Sequence, residues 1–494
     1  MKPLPLVAAL AVGASALWSV GWFVGKSVIV EPEADRAVEN IRAGRLFFSY
    51  GERTIGGFPF GYDVAYHDVA VSDSSTSWKW TVPELHVATG VTDSGTLTLT
   101  TSPRSALELS TGATAGPPTV FQIDSTELAV HLTRDATGSA NISAQAAEIA
   151  AVQKGAGGLI TGGRFVLGGM MLEQQAASDV AGELTMNATS LEIAYRMSAD
   201  GVTETWSEST SHDVVLRSVY DFSGYDPAAP FMFLTNGGAL EVTMTAGSGE
   251  GRSGSTGGPS SPPFKAEFET GGATVRAAVG KGRLTYGGTA EGGRFDIAYE
   301  QGGPMPSMAF EMGDVAVDFS MPTDPSPDPQ PYTLLIDVAG VQVDEALWSQ
   351  IDPAAALPRD PMSMRLDFGG DARIFRDLME LQSANRGGPP IELETLTLRD
   401  TRLAALGASI SVTGELDVRG VAARPDGNLT VVIDGALGLI DQLTSAGLIE
   451  PNAAEIYKNL GQQILRPGEG ADQFIADVAS DGGNISINGV PIGQ

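Results

Sequence analysis

Residues 62–71 read Tyr62-Asp63-Val64-Ala65-Tyr66-His67-Asp68-Val69-Ala70-Val71. Tyr62, Val64 and Tyr66 recur with period two, as on one face of a β-strand, and Val69 and Val71 continue with the opposite parity. A β-bulge near His67 or Asp68 reconciles the two phases within one strand. The same alternation runs through Trp78, Trp80 and Val82, then Leu97 and Leu99, and again through 127–133, 191–197, 240–245, 309–321 and 393–398. Short alternating segments parted by Gly, Ser, Asp and Asn mark an all-β chain. The 61 glycines fit many turns and bends. No repeat of fixed length is present. What recurs is an alternating strand followed by a Gly-centred turn, as in a long sheet built by accretion. The expected fold is mainly β, with long antiparallel sheets arranged as an elongated β-groove or a sandwich.

Ahead of this body, Lys2 is followed by an apolar run from Leu4 to Val24, closed by Lys26. About twenty apolar residues cross a bilayer as one helix. Ala14-Ser15-Ala16 has the form of a signal-peptide cleavage site, yet Leu17, Trp18, Val20, Trp22 and Phe23 carry the run past it. Residues 1–29 are therefore expected to be a transmembrane anchor or uncleaved signal, with Trp18 and Trp22 suited to the membrane–water interface. The simplest topology is single-pass, held in the inner membrane through residues 4–24, with the bulk in the periplasm. The formal charge of −30 argues against nucleic acid as a partner, because phosphates would be repelled. Absence of cysteine removes disulfides and thiolate chemistry.

At 494 residues the chain can fill more than one domain. Glu31 to Arg45 reads as a helix: Pro32 suits its start, Glu31, Glu33 and Asp35 suit its positive end, and Gly44 suits its stop. Gly247–Pro263 is almost entirely Gly, Ser and Pro and is expected to be a flexible linker or loop. It divides a β-rich domain at 30–246, with its leading helix, from another at 264–494. Asp344 can cap a short helix through Leu347 and Trp348 that ends at Asp352-Pro353. A helical segment is expected at 437–466, and a closing strand over Asn484–Ile492.

Chemistry is sparsely signalled. His67, His86, His131 and His212 lie in separate strand-like segments, and His67-Asp68 is the only tempting pair. Gly249-Glu250-Gly251-Arg252-Ser253-Gly254 fits a phosphate-loop spacing, but the prolines that follow it deny the helix such a loop needs. No catalytic residue, cofactor site or metal site is assigned. Apolar contact is the better expectation. Gly57-Phe58-Pro59-Phe60-Gly61 sets two aromatics about a proline, and Phe58, Pro59, Phe60, Trp78 and Trp80 are the candidate residues for an apolar ligand or partner.

Several of these residues resemble one bacterial family. Ser49-Tyr50-Gly51 followed by Gly57-Phe58-Pro59-Phe60 looks like its N-terminal signature, and Trp78-Lys79-Trp80 with Pro83 fits the next part. Leu347-Trp348, Ile351-Asp352-Pro353, Leu357-Pro358 and Asp360-Pro361 resemble its central signature, and Asn488-Gly489-Val490-Pro491 its C-terminal end. The family is known only as domain of unknown function 2125, and it supplies no catalytic residues to carry over. Where its members often follow Phe-Pro-Phe with Arg, this chain has Gly61. The C-terminal strand–helix–strand pattern is also similar to the ends of AsmA-like envelope proteins, which implies an anchored β-groove that carries or organises lipid. The leading expectation is therefore a non-enzymatic envelope protein that holds phospholipid acyl chains along an apolar sheet face. A scaffold docking other envelope proteins is the alternative, and a hydrolase assembled from distant strands ranks last.

Overall fold

The computed structural model describes residues 23, 26–43, 46–73, 78–90, 95–110, 118–134, 140–154, 160–178, 180–198, 203–224, 237–258, 262–299, 307–378, 389–419 and 425–492. The expected anchor lies almost wholly outside them; among the described residues no helix is long and apolar enough to cross a membrane. The chain divides into two compact units, Met1–Val215 and Leu216–Gln494. Both are mainly antiparallel β.

In the first unit a π-helical turn, Lys26–Val30, leads into helix α1, Glu31–Ala43, close to the expected span. Val38 on α1 joins Phe48, Val64, Tyr66, Val69, Val82 and Leu85 in the buried core. Strands β1 (Leu46–Ser49) and β2 (Glu52–Gly56) lie end to end along β3 (Gly61–Asp73), which pairs with β4 (Trp78–Gly90). Next, β5 (Thr96–Thr101) and β6 (Arg104–Leu109) lie end to end along β4. Likewise β7 (Thr119–Thr126) and β8 (Ala129–Arg134) share β9 (Ala140–Lys154), which continues to β10 (Ile160–Ala176) and β11 (Ala181–Met197). The division between units falls within β12, Thr205–Asp221.

The phase change read at His67-Asp68 is real, but its form differs from a bulge. Across β3 and β4, His67 faces Glu84 and Val69 faces Val82, so no residue is inserted. Instead Asp68 adopts left-handed φ of 54°. That local twist sends both Tyr66 and Val69 into the core, where Val69 and Val82 are 1% exposed. Burying each valine contributes roughly 1.5–3 kcal/mol. The irregularity continues across the sheet. Between β4 and its neighbours the register slips by one residue at Ser102-Pro103, and Glu127 and Gly169 have φ of 56° and 58° at the same level of the ladder. These residues form one transverse crease.

The second unit repeats the device. β13 (Ala239–Ala246) and β14 (Ser248–Ser255) form one strand creased at Gly247. β15 (Phe264–Thr270) and β16 (Ala273–Gly280) are creased at Gly271-Gly272, and β17 (Arg283–Ala290) and β18 (Gly293–Tyr299) at Glu291-Gly292. β19 (Met308–Met312) and β20 (Val315–Pro322) are creased at Gly313-Asp314, and β21 (Gln330–Val343) at Gly340, φ 63°. Hydrogen bonding survives the crease: Gly271 N donates to Gly292 O at 2.9 Å and Gly313 N to Ala339 O at 2.8 Å. The chains cross so closely that a Cβ on Gly271 would stand 2.8 Å from Glu291 Cβ, and one on Gly313 2.7 Å from Ala339 O. Glycine is required there by space.

Within the expected linker or loop at 247–263, the reading is corrected over 248–255. Ser248–Ser255 is a strand, with Gly249 facing Thr270 and Ser255 facing Phe264. Its ladder bonds hold it, and its partner strand supplies the large side chains that Gly and Ser lack. The division between the units also falls earlier than 246.

Beyond β21, Asp344 caps helix α2 (Glu345–Ile351) by accepting from Leu347 N at 3.0 Å, as the sequence indicates. Strands β22 (Met362–Ile374), β23 (Ile391–Leu393), β24 (Thr395–Ala405), β25 (Ala408–Asp417) and β26 (Asp426–Asp434) extend the meander. The expected segment 437–466 is two helices, α3 (Ala436–Ser445) and α4 (Pro451–Ile464). Gly435 has no side chain to cap α3, and Asp472 does so from a distance, accepting from Leu437 N at 3.0 Å and Gly438 N at 2.9 Å. After β27 (Arg466–Pro467), β28 (Gln473–Asp481) pairs with β26. The expected final strand is a small hairpin, β29 (Asn484–Ile487) and β30 (Val490–Pro491), because Asn488-Gly489 takes the left-handed turn that such dipeptides favour.

Candidate apolar ligand surface

Residues directly opposite in an antiparallel ladder share one face of the sheet. In the second unit this places Leu240, Val242 and Met244 beside Val279, Ala277 and Val275. The row continues to Leu284 and Tyr286, then to Met321 and Phe319. Leu334 and Ile336 follow, with Phe368 and Leu366 beyond them. Leu398 and Leu403 come next, then Ile410, Ile433 and Phe474. On the far side of the crease Phe268, Phe295 and Phe310 stack in turn, with centroids 6.4 and 5.0 Å apart. The apolar face is thus continuous from β13 to β28.

Much of that face remains accessible. Tyr286 is 47% exposed, Leu403 49%, Met244 38% and Ile410 37%. A sheet face packed against a second layer would bury these side chains almost fully. At the β28 end Phe474 and Ala476 are buried. The first unit has the same pattern on a smaller scale. Leu97 and Leu99 face Leu132 and Val130, and Leu167 faces Ile149 on one side and Leu191 on the other.

The opposite face is polar and ion-paired. Arg365 bonds to Asp337 and lies 3.2 Å from Asp400 and 3.7 Å from Asp367. In the first unit Glu84 lies 3.5 Å from His67 and 3.3 Å from His86, and Asp63 lies 2.9 Å from His86. The hydrogen bond with Asp63, with weaker attraction from Asp63 and Glu84, raises the His86 pKa above its ordinary value against a smaller opposing effect of burial. His67 therefore meets Glu84 and not Asp68, its neighbour in sequence. The signal was the hairpin register, which pairs 67 with 84 once β3 and β4 are aligned about their turn. Among the described residues no group of three or more His, Asp or Glu is arranged to hold a metal ion.

The candidate aromatics fall into two places. Trp80 faces Val71 and Leu107 and packs against the first unit's core, with Trp78 beside it facing Leu109. Phe58, Pro59 and Phe60 lie in the turn before Gly61, at the other end of the β3–β4 ladder. Phe60 is 83% exposed and Phe58 49%. Gly61 N donates to Gly57 O at 3.0 Å and closes this turn. The structure therefore does not gather the five residues into one site.

The central signature makes a tight corner after β21. Asp352, its side chain fully buried, accepts from Ala356 N at 3.0 Å, Leu357 N at 2.8 Å and Arg359 Nη1 at 2.8 Å. Burial alone would raise its pKa. The Leu357 amide, Arg359 and the Ala356 amide outweigh that effect and hold the carboxyl below its ordinary value. Arg359 also lies 4.4 Å over the Trp348 ring. These contacts fix the corner's conformation and leave Asp352 and Arg359 paired with each other.

No curated protein and no solved structure matches the chain. A family described as uncharacterized protein conserved in bacteria matches over residues 22–293 and 261–494, which spans nearly all of the sequence. The chain belongs to that family, DUF2125.

Proposed function

We propose that this chain is a membrane-tethered envelope protein, its bulk in the periplasm, that holds phospholipid acyl chains along its creased apolar sheet face. The observation that carries the reading is the continuous row from Leu240 to Ile433, with Tyr286, Leu403, Met244 and Ile410 left accessible. Acyl chains would bury that surface at roughly 25 cal/mol per Å². The polar, ion-paired opposite face would stay in water. The AsmA-like resemblance of the C-terminal pattern points the same way, and the reading is non-enzymatic. The test is the body from Glu31 onward, purified without detergent and analysed by native mass spectrometry with lipid extraction. Stoichiometric phospholipid supports the proposal; a folded, lipid-free body overturns it.

One observation favours the scaffold alternative. On α4, Ile456, Tyr457 and Leu460 are 63%, 54% and 51% exposed, an apolar stripe at helical spacing. A lipid-free body that captures an envelope protein through this stripe would favour docking.

A further inference from the structure

We infer that the Gly57–Gly61 turn seats Phe58 and Phe60 in the interfacial layer of the same bilayer that the preceding apolar run enters. The inference rests on the tether reading above. It starts from Phe23, which belongs to that apolar run and is itself 59% exposed. Its ring stacks on Phe58 with centroids 6.4 Å apart and planes 22° from parallel. Lys26, just beyond the run, is tied to the same region through its ammonium, which donates to Ile55 O at 3.1 Å. The chain therefore leaves the apolar segment beside this turn.

The turn is built to present its aromatics outward. Gly57 has φ of 96°, and a Cβ there would stand 2.8 Å from Gly61 O. With the Gly61–Gly57 hydrogen bond it forms a closed loop, and Gly57-Phe58-Pro59-Phe60-Gly61 contains no charge in an otherwise strongly acidic chain. Large exposed apolar groups clustered beside a membrane segment match the interfacial layer, where aromatic rings partition and a lysine ammonium reaches the phosphates. A phospholipid bilayer is thus the occupant favoured over a protein partner.

The chain contains no cysteine, so Phe60→Cys supplies one labelling site, and Phe60 is too exposed for its loss to unsettle the fold. The full chain carrying an environment-sensitive NBD label there is reconstituted in phosphatidylethanolamine–phosphatidylglycerol vesicles. Ser110→Cys, exposed just past β6 at the opposite end of the ladder, is the reference. The expected result is blue-shifted emission and quenching by doxyl lipids at residue 60, with neither at residue 110. A chain that floats with the vesicles but keeps a water-like label at residue 60 overturns the inference and leaves the tether intact. Shielding from iodide without lipid quenching also overturns it, in favour of a protein contact. A chain that fails to float overturns tether and inference together.

Discussion

Phe295 and Phe310 stack across adjacent strands, with ring centroids 5.0 Å apart and planes 13° from parallel. They are direct ladder partners, and Phe268 stacks on the other side of Phe295. The middle ring therefore touches two others on the apolar face below the crease. Phe295→Ala should cost about 2–3 kcal/mol by urea unfolding, since a partly buried ring and two ring contacts are lost. A double-mutant cycle with Phe310→Ala should return a coupling of about 0.5–1.5 kcal/mol. A coupling near zero would mean the rings merely share a face.

Tyr286 and Leu403 separate ligand binding from folding, because each is about half exposed in the free protein. Tyr286→Asp with Leu403→Asp should lower extracted phospholipid at least several-fold while leaving stability within about 1 kcal/mol. Thr413→Asp, which faces Thr430 on the polar side, should leave lipid content unchanged. Equal lipid in all three proteins would remove the apolar face from the proposed site.

The strand character of the chain was legible because alternation at Tyr62–Tyr66 and Val69–Val71 is a local signal. The helix cap at Asp344 and the helix end at Asp352-Pro353 were legible for the same reason. The creases were not. A Gly pair such as Gly271-Gly272 has one local reading, a turn, and only the ladder shows that the chain runs straight through it. The linker reading failed over 248–255 on this point: Ser248–Ser255 gains its order from Phe264–Thr270, a neighbour that composition does not reveal. Phe58 and Trp80 were both visible as unusual aromatics, but their separation to opposite ends of one hairpin depends on register. The meeting of His67 and His86 at Glu84 depends on register as well.

Asp352 should make the second unit sensitive to acid. Its carboxyl titrates below the ordinary value in the folded chain, held there by the Leu357 and Ala356 amides and by Arg359. A depressed folded value means a stabilisation present above the unfolded carboxylate range, about pH 4, and lost as pH falls through the folded value. Asp352→Asn removes the charge, so its stability should depend less on pH across that acid range. At neutral pH its urea midpoint should fall further than that of Asp417→Asn, which breaks only an exposed pair with Arg419. Parallel pH profiles of wild type and Asp352→Asn would assign the acid response to other carboxylates.

Two glycines with opposite expectations test whether the crease is a packing requirement. Gly313 sits where its strand crosses β21, and a methyl group would meet Ala339 O at 2.7 Å, a backbone atom that moves only with its strand. Gly461 lies inside α4 with nothing within 4 Å of where a methyl group would stand. Gly461→Ala should stabilise by about 0.5–1 kcal/mol, because alanine loses less backbone entropy in a helix. Gly313→Ala should destabilise by about 1–3 kcal/mol, the usual range for forcing extra volume into a tight contact. Thermal unfolding of both variants should shift the midpoint in opposite directions. A neutral Gly313→Ala would mean the two strands can separate at the crease without loss, and the crease would then be a flexible hinge instead of a fixed bend in the apolar face.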